Sequence, residues 1–152
     1  MTEKQGRATA RRVLLMLSLA GLLLPGALRA QNADVVAHDA WVRLPAKSKM
    51  DAALFMVVEN RTAQPKTIIG VSTDDASAAE MHQMTMNKMI MTMTPVSHIS
   101  IPAKGKTSFD PNGFHVMLFG LKIHPALGDK LHVTLKLDDG TRVPVEAIVK
   151  KG

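Results

Sequence analysis

The sequence predicts an all-β fold, an antiparallel sandwich or barrel in a single domain. Two observations carry that prediction. Residues 131–137, LHVTLKL, alternate strictly: Leu131, Val133, Leu135 and Leu137 fall on one side, His132, Thr134 and Lys136 on the other, as in a half-buried strand. Elsewhere, short apolar runs recur between turn signals, with no long helical period, repeat or linker.

Taken in order, VVAHDAWVRL (35–44) opens the fold as a first strand. AALFMVV (52–58) is continuously apolar and suits a strand covered on both sides, and KTIIGVS (66–72) is a second candidate of that kind. DPNG (110–113) is a turn leading into FHVMLFG, where Phe114, Val116 and Leu118 share one face and His115 and Met117 the other. DDG (138–140) closes a hairpin, and Val143, Val145, Ala147 and Val149 resume the apolar parity on the return strand. Pro144 puts that partner at an edge or a bulge. Trp41 and the four phenylalanines are expected to fill the core.

Residues 1–30 look like an address. Lys4, Arg7, Arg11 and Arg12 make a basic start, Val13 to Leu24 is an apolar run, and Pro25 to Ala30 is a small-residue end. This is the pattern of a secretory signal peptide, and the run is shorter than the about 20 residues needed to span a bilayer. Cleavage is expected after Ala30, by ordinary Sec export, leaving 31–152 as the mature domain in the periplasm. No cysteine follows the apolar run, so no lipid anchor is expected on the mature chain. The leader holds five of the 19 basic residues and one of the 13 acidic ones, which leaves a mature net charge of +2. A basic patch for nucleic acid or membrane is therefore not supported. Without cysteine, an exported domain depends on its apolar core rather than on disulfides.

Six methionines stand within the thirteen positions from Met81 to Met93. In KMIMTM, Met89, Met91 and Met93 align on one side if the segment is extended. Thioether sulfur is a soft, neutral ligand that favours Cu(I), and imidazole adds affinity without preventing it. Zinc sites use Cys, His and carboxylate, so methionine argues against zinc. Blue-copper electron transfer requires a cysteine thiolate, and this chain has none. The plain alternative is that the methionines pack as gap-fillers or lie on a flexible surface. His38, His124 and His132 lack a second ligand at useful spacing and read as structural or solvated. His98 is held in reserve, and Met56 fits a core strand.

The spacing is more specific than the composition. His82 is followed by ten residues, Met93, twenty-one residues, His115, one residue and Met117. That series resembles the signature of the periplasmic copper chaperones of the PCuAC family, and AWVRLP (40–45), VVEN (57–60), GFHVMLFGL (113–121) and the segment 127–149 resemble family segments as well. The resemblance implies a cupredoxin-like Greek-key β-sandwich that holds one Cu(I) through His82, Met93, His115 and Met117. It also implies a monomeric carrier that supplies the CuA centre of cytochrome c oxidase subunit II, with Sco-type proteins as co-workers or recipients. Met84, Met86, Met89 and Met91 exceed what the motif requires, which leaves open auxiliary ligands or a second weak site; Met81 opens the same stretch.

Three functions are expected, in descending order. The first is a Cu(I) metallochaperone that performs no chemistry on a substrate, whose binding weakens as pH drops through about 6 to 7 because protonated imidazole cannot ligate. The second is copper buffering or resistance without a dedicated recipient. The third is a metal-free sandwich module whose methionines act as an oxidant sink. An enzyme is not expected, since no G-x-S-x-G, H-E-x-x-H or phosphate-cradling glycine loop occurs.

Overall fold

The structure, a computed structural model, describes residues 33–152; the expected leader lies outside the described residues. Ten strands make up the domain: β1 (Val35–Arg43), β2 (Ala52–Asn60), β3 (Lys66–Ser72), β4 (Ala76–Asn87), β5 (Ile90–Pro95), β6 (Ile99–Ile101), β7 (Lys106–Phe109), β8 (Phe114–Leu121), β9 (Lys130–Leu137) and β10 (Arg142–Lys150). They form one continuous hydrogen-bonded ladder in the order β5-β4-β8-β7-β2-β1-β10-β9-β3-β6. No helix occurs among the described residues.

The ladder turns over on itself at the junction of β1 and β10. Apolar side chains from the two halves then meet in one core: Leu54, Met56, Val58, Val116 and Leu118 from one side, and Ile68, Val133, Leu135, Leu137 and Val145 from the other. The β6 end of the ladder also closes against β2, for the Asn60 amide N–H donates to the Gly105 carbonyl at 2.9 Å and the buried Asn60 side chain donates to Pro102 O at 3.2 Å, both in the β6–β7 connection. The result is a sandwich with a single core.

The hairpin at 138–140 forms as its sequence predicts, with Gly140 at φ +85° and Arg142 opposite Lys136. Pro144 lies opposite Thr134 of β9, while β1 pairs with β10 only from Ile148 to Lys150. The missing N–H of Pro144 thus faces an unpaired edge. The purely antiparallel expectation is corrected at two places, because β1 and β10 run parallel and so do β7 and β8. Residue alternation reports which face a side chain takes but not the direction of the neighbouring strand.

One irregularity positions the site. Between His38 and Trp41 the β1–β2 register slips by one residue, with Asp39 at φ +53°. This β-bulge reverses the parity of the rest of the strand. Val35 and Val42, an odd number of residues apart, both reach the core, and Trp41 and Arg43 are turned to the opposite side of the sheet.

Candidate metal centre

The outer face of β5-β4-β8-β2-β1 is built by pairing. His82 of β4 stands opposite His115 of β8 and Pro95 of β5; Glu80 stands opposite Met117, and Met84 opposite Met93. Residues directly opposite one another share a face. The four residues of the spacing motif, His82, Met93, His115 and Met117, therefore lie on one surface, although they come from three strands. Trp41 and Phe55 continue that surface onto β1 and β2, with ring centroids 4.6 Å apart, and the Arg43 guanidinium lies 5.4 Å from the Phe55 centroid.

A depression of about 200 Å³ opens here, lined by Arg43, Phe55, Met84, Met93, His115 and Met117 among others. His115 is 3% exposed, packed with its ring centroid 6.2 Å from Phe55 and 5.9 Å from His82. Its Nδ1 lies 3.3 Å from the Gly113 carbonyl and its Nε2 lies 3.1 Å from Met93 Sδ. With the proton on Nδ1, donated to that carbonyl, the Nε2 lone pair faces a sulfur lone pair. Two electron donors at that separation are an arrangement that a cation would relieve. Burial lowers the pKa of His115 below the ordinary imidazole value, with further lowering from nearby His82 and Arg43 against an opposing hydrogen bond to Gly113. The ring is thus held neutral, the form that can donate a lone pair.

His82 is also buried, at 6%. Its Nε2 lies 3.0 Å from Glu80 Oε2, while its Nδ1 is buried with no hydrogen-bond partner. When Nε2–H donates to the carboxylate, Nδ1 carries a free lone pair in the protein interior. A carboxylate that orients a histidine for a metal in this way is a recurrent device. Among the described residues, no three His, Cys, Asp or Glu side chains converge.

Several sequence expectations are refined. His115 and Met117 share the face of β8 opposite Val116 and Leu118, as alternation predicts, with Phe55 and His82 packed against His115. Met89 is not aligned with Met91 and Met93: it sits in the β4–β5 turn at φ +66°, next to Lys88 at φ +47°, and is 93% exposed. Two successive left-handed residues make a primed hairpin turn, which usually announces itself with Asn-Gly and here does not. Met81 is 4% exposed within the core, on the other face from His82. Phe109 is core, but Phe55 lines the depression instead, with Trp41 packed beside it. His98, exposed, contacts Ser97 Oγ at 2.8 Å, and His38, His124 and His132 stand apart from the depression, beside Asp39, Ala46 and Asp75 respectively. Glu80, Phe55 and Arg43 carry no motif of their own in the sequence. Arg43 lies within AWVRLP, and the odd spacing of Val35 and Val42 is the available signal for the bulge that delivers it.

Comparison with known proteins agrees with this architecture. Residues 35–149 match the family model LpqE-like, described as "Putative lipoprotein LpqE-like". The chain is 34% identical over 146 residues to "Putative lipoprotein Lxx21020" of Leifsonia xyli subsp. xyli, covering 93% of this chain and 87% of the relative. Among solved structures, it is similar to Cu(I)-bound DR1885 from Deinococcus radiodurans, with 33% identity, TM-score 0.60, and coverage of 81% of this chain and 83% of that one. It also superposes on the copper-bound PCuAC domain from PmoF2 at TM-score 0.66 and 22% identity, covering 79% and 95% of the two chains. The fold is accordingly the cupredoxin-like Greek-key β-sandwich that the sequence resemblance implied. With the family model spanning nearly every described strand, the chain belongs to the LpqE-like family, which is the PCuAC family.

Proposed function

We propose that this protein is a Cu(I) carrier whose ion is held by His82, Met93, His115 and Met117, in a mature domain beginning near Gln31 and working in the periplasm. The observation that carries the reading is the approach of His115 Nε2 to Met93 Sδ at 3.1 Å, which brings an imidazole nitrogen and a thioether sulfur together on a surface that also bears His82 and Met117. Two thioethers and two imidazoles are soft-to-intermediate neutral donors, a set suited to Cu(I) and poorly suited to zinc or hard cations. The similar protein described as Cu(I)-bound, DR1885, supports the same ion.

Neutral ligands leave the charge of the ion uncompensated, and the exchangeable edge of the site is the β5 side, where Met93 is 45% exposed. An ion held between buried imidazoles and an exposed thioether can leave by stepwise ligand exchange, which is what a carrier requires. The recipient we infer is the CuA domain of cytochrome c oxidase subunit II, with a Sco-type thiol protein as co-worker, and the protein catalyses no reaction of its own. X-ray absorption of the Cu(I)-loaded protein tests the ligand set: two sulfur and two nitrogen neighbours are expected, and a shell of oxygen or of nitrogen alone would overturn it. Anaerobic incubation with an apo CuA domain tests delivery. Retention of the ion against that acceptor would favour buffering instead.

A further inference from the structure

The β4–β5 hairpin outruns the rest of the sheet. Pairing of β4 with β8 ends at Gln83 and Phe114, whereas β4 and β5 stay paired out to Asn87 and Ile90. Beyond Gln83 the hairpin is a two-stranded ribbon with no third strand among the described residues. Its register sets Met84 opposite Met93 and Met86 opposite Met91, so alternation collects these four on the face that carries His82. The other face holds Thr85, Asn87, Ile90, Thr92 and Thr94.

Packing does not account for this sulfur. Met86 is 70% exposed and Met91 44% exposed, so neither fills a core gap, the usual task of methionine. Side chains opposite one another on such a ribbon have Cβ atoms about 4.5–5.5 Å apart, with diagonal neighbours at about 7–8 Å. The flexible methionine side chain can close either separation onto one ion. Thioethers carry no proton to displace, and their softness selects a soft univalent cation.

We propose that Met84, Met86 and Met91 form a second, thioether-only site for such a cation on the exposed ribbon, weaker than the four-residue centre and adjoining it through Met84. Met84 belongs to both surroundings, since it lines the depression with Met93, His115 and Met117 while heading the ribbon's row of sulfur. An ion captured at the ribbon reaches the centre by exchange of thioether for imidazole ligands, with no change of oxidation state. The identity of that ion as Cu(I) and its passage to the centre rest on the reading of the centre given above; binding of a soft univalent cation at the ribbon does not.

The test uses the protein labelled with methyl-¹³C methionine and titrated anaerobically with Cu(I), and in parallel with Ag(I) as a redox-inert soft ion. The first equivalent is expected to shift the methyl signals of Met93 and Met117, and the second those of Met86 and Met91. The double variant Met86→Leu/Met91→Leu keeps the apolar bulk of the ribbon and should take up one ion fewer, with the Met93 and Met117 response unchanged. A His82→Gln/His115→Gln variant should lose the tight ion yet retain the Met86 and Met91 shifts, which separates failure of the centre from failure of the ribbon. Saturation of the wild-type protein at one ion with the Met86 and Met91 methyls unmoved overturns the proposal, as does a leucine variant that still binds two.

Discussion

The two faces of β8 differ in what their burial achieves. Val116 and Leu118 are fully buried among apolar side chains of both halves of the sandwich, while His115, one residue away, is nearly as buried against Phe55 and His82. The inner face uses its burial for close packing. The outer face sets His115 Nε2 against the Met93 sulfur and leaves His82 Nδ1 with no hydrogen-bond partner. Burial alone therefore does not distinguish structure from function; what distinguishes them is whether the buried atoms are chemically satisfied.

The sharpest way to break the comparison is to remove the outer pair. His115→Ala together with Met117→Ala should lower Cu(I) affinity by more than the about 10–100-fold that loss of a supporting outer-shell partner costs, measured by competition with a chromophoric Cu(I) chelator. Far-UV circular dichroism of that variant should keep its β signature, because the inner face is untouched. Unchanged affinity would remove these two residues from the site. The opposite variant is Leu118→Ala on the inner face. It should cost about 2–5 kcal/mol of stability, read from denaturant unfolding, with the folded fraction still binding Cu(I) at wild-type affinity.

The inner face is the more legible of the two in the sequence. Strict alternation in LHVTLKL and in the return strand names Leu131, Val133, Leu135, Leu137, Val143, Val145, Ala147 and Val149, and all eight are buried. Those positions depend on local period alone. The motif spacing likewise singles out His82, Met93, His115 and Met117, which pairing then brings to one face. The illegible features depend on non-local register. The parallel meeting of β1 with β10, and the arrival of Arg43 and Phe55 beside His115, require knowing which strands are neighbours. Met89 departs from its expected alignment for a different reason: its turn uses two left-handed residues without a glycine to signal them.

Glu80 sharpens the comparison at intermediate scale. It is exposed, unlike the histidine it touches, and lies 3.0 Å from His82 Nε2. Replacing it with glutamine keeps the size but weakens the pull on the Nε2 proton, so the ring is freer to adopt the other tautomer. An affinity loss of about 10-fold is expected, at the low end for such a partner, with a change in the His82 ¹⁵N tautomer pattern that a purely structural role would not produce. An unchanged ring pattern with unchanged affinity would leave Glu80 without a part in the site.

The smallest effect expected is on the stability of the metal-free protein as pH falls. The pKa of His115 is lowered in the folded state, chiefly by burial, so below the ordinary imidazole value of about 6.5 the unfolded chain binds a proton that the folded chain resists. Stability then rises with pH across that window and levels off above it, where the ring is neutral in both states. Acidification should destabilise the wild-type protein more than a His115→Gln variant, compared by denaturant midpoints at pH 5 and pH 7.5. The inner-face variant Leu118→Ala should keep the wild-type pH slope despite its lower overall stability, because it alters packing without altering any proton-binding group. Equal slopes in wild type and His115→Gln would mean that the outer face tolerates a charged imidazole, and the contrast between the two faces of β8 would then rest on the unpartnered nitrogen of His82.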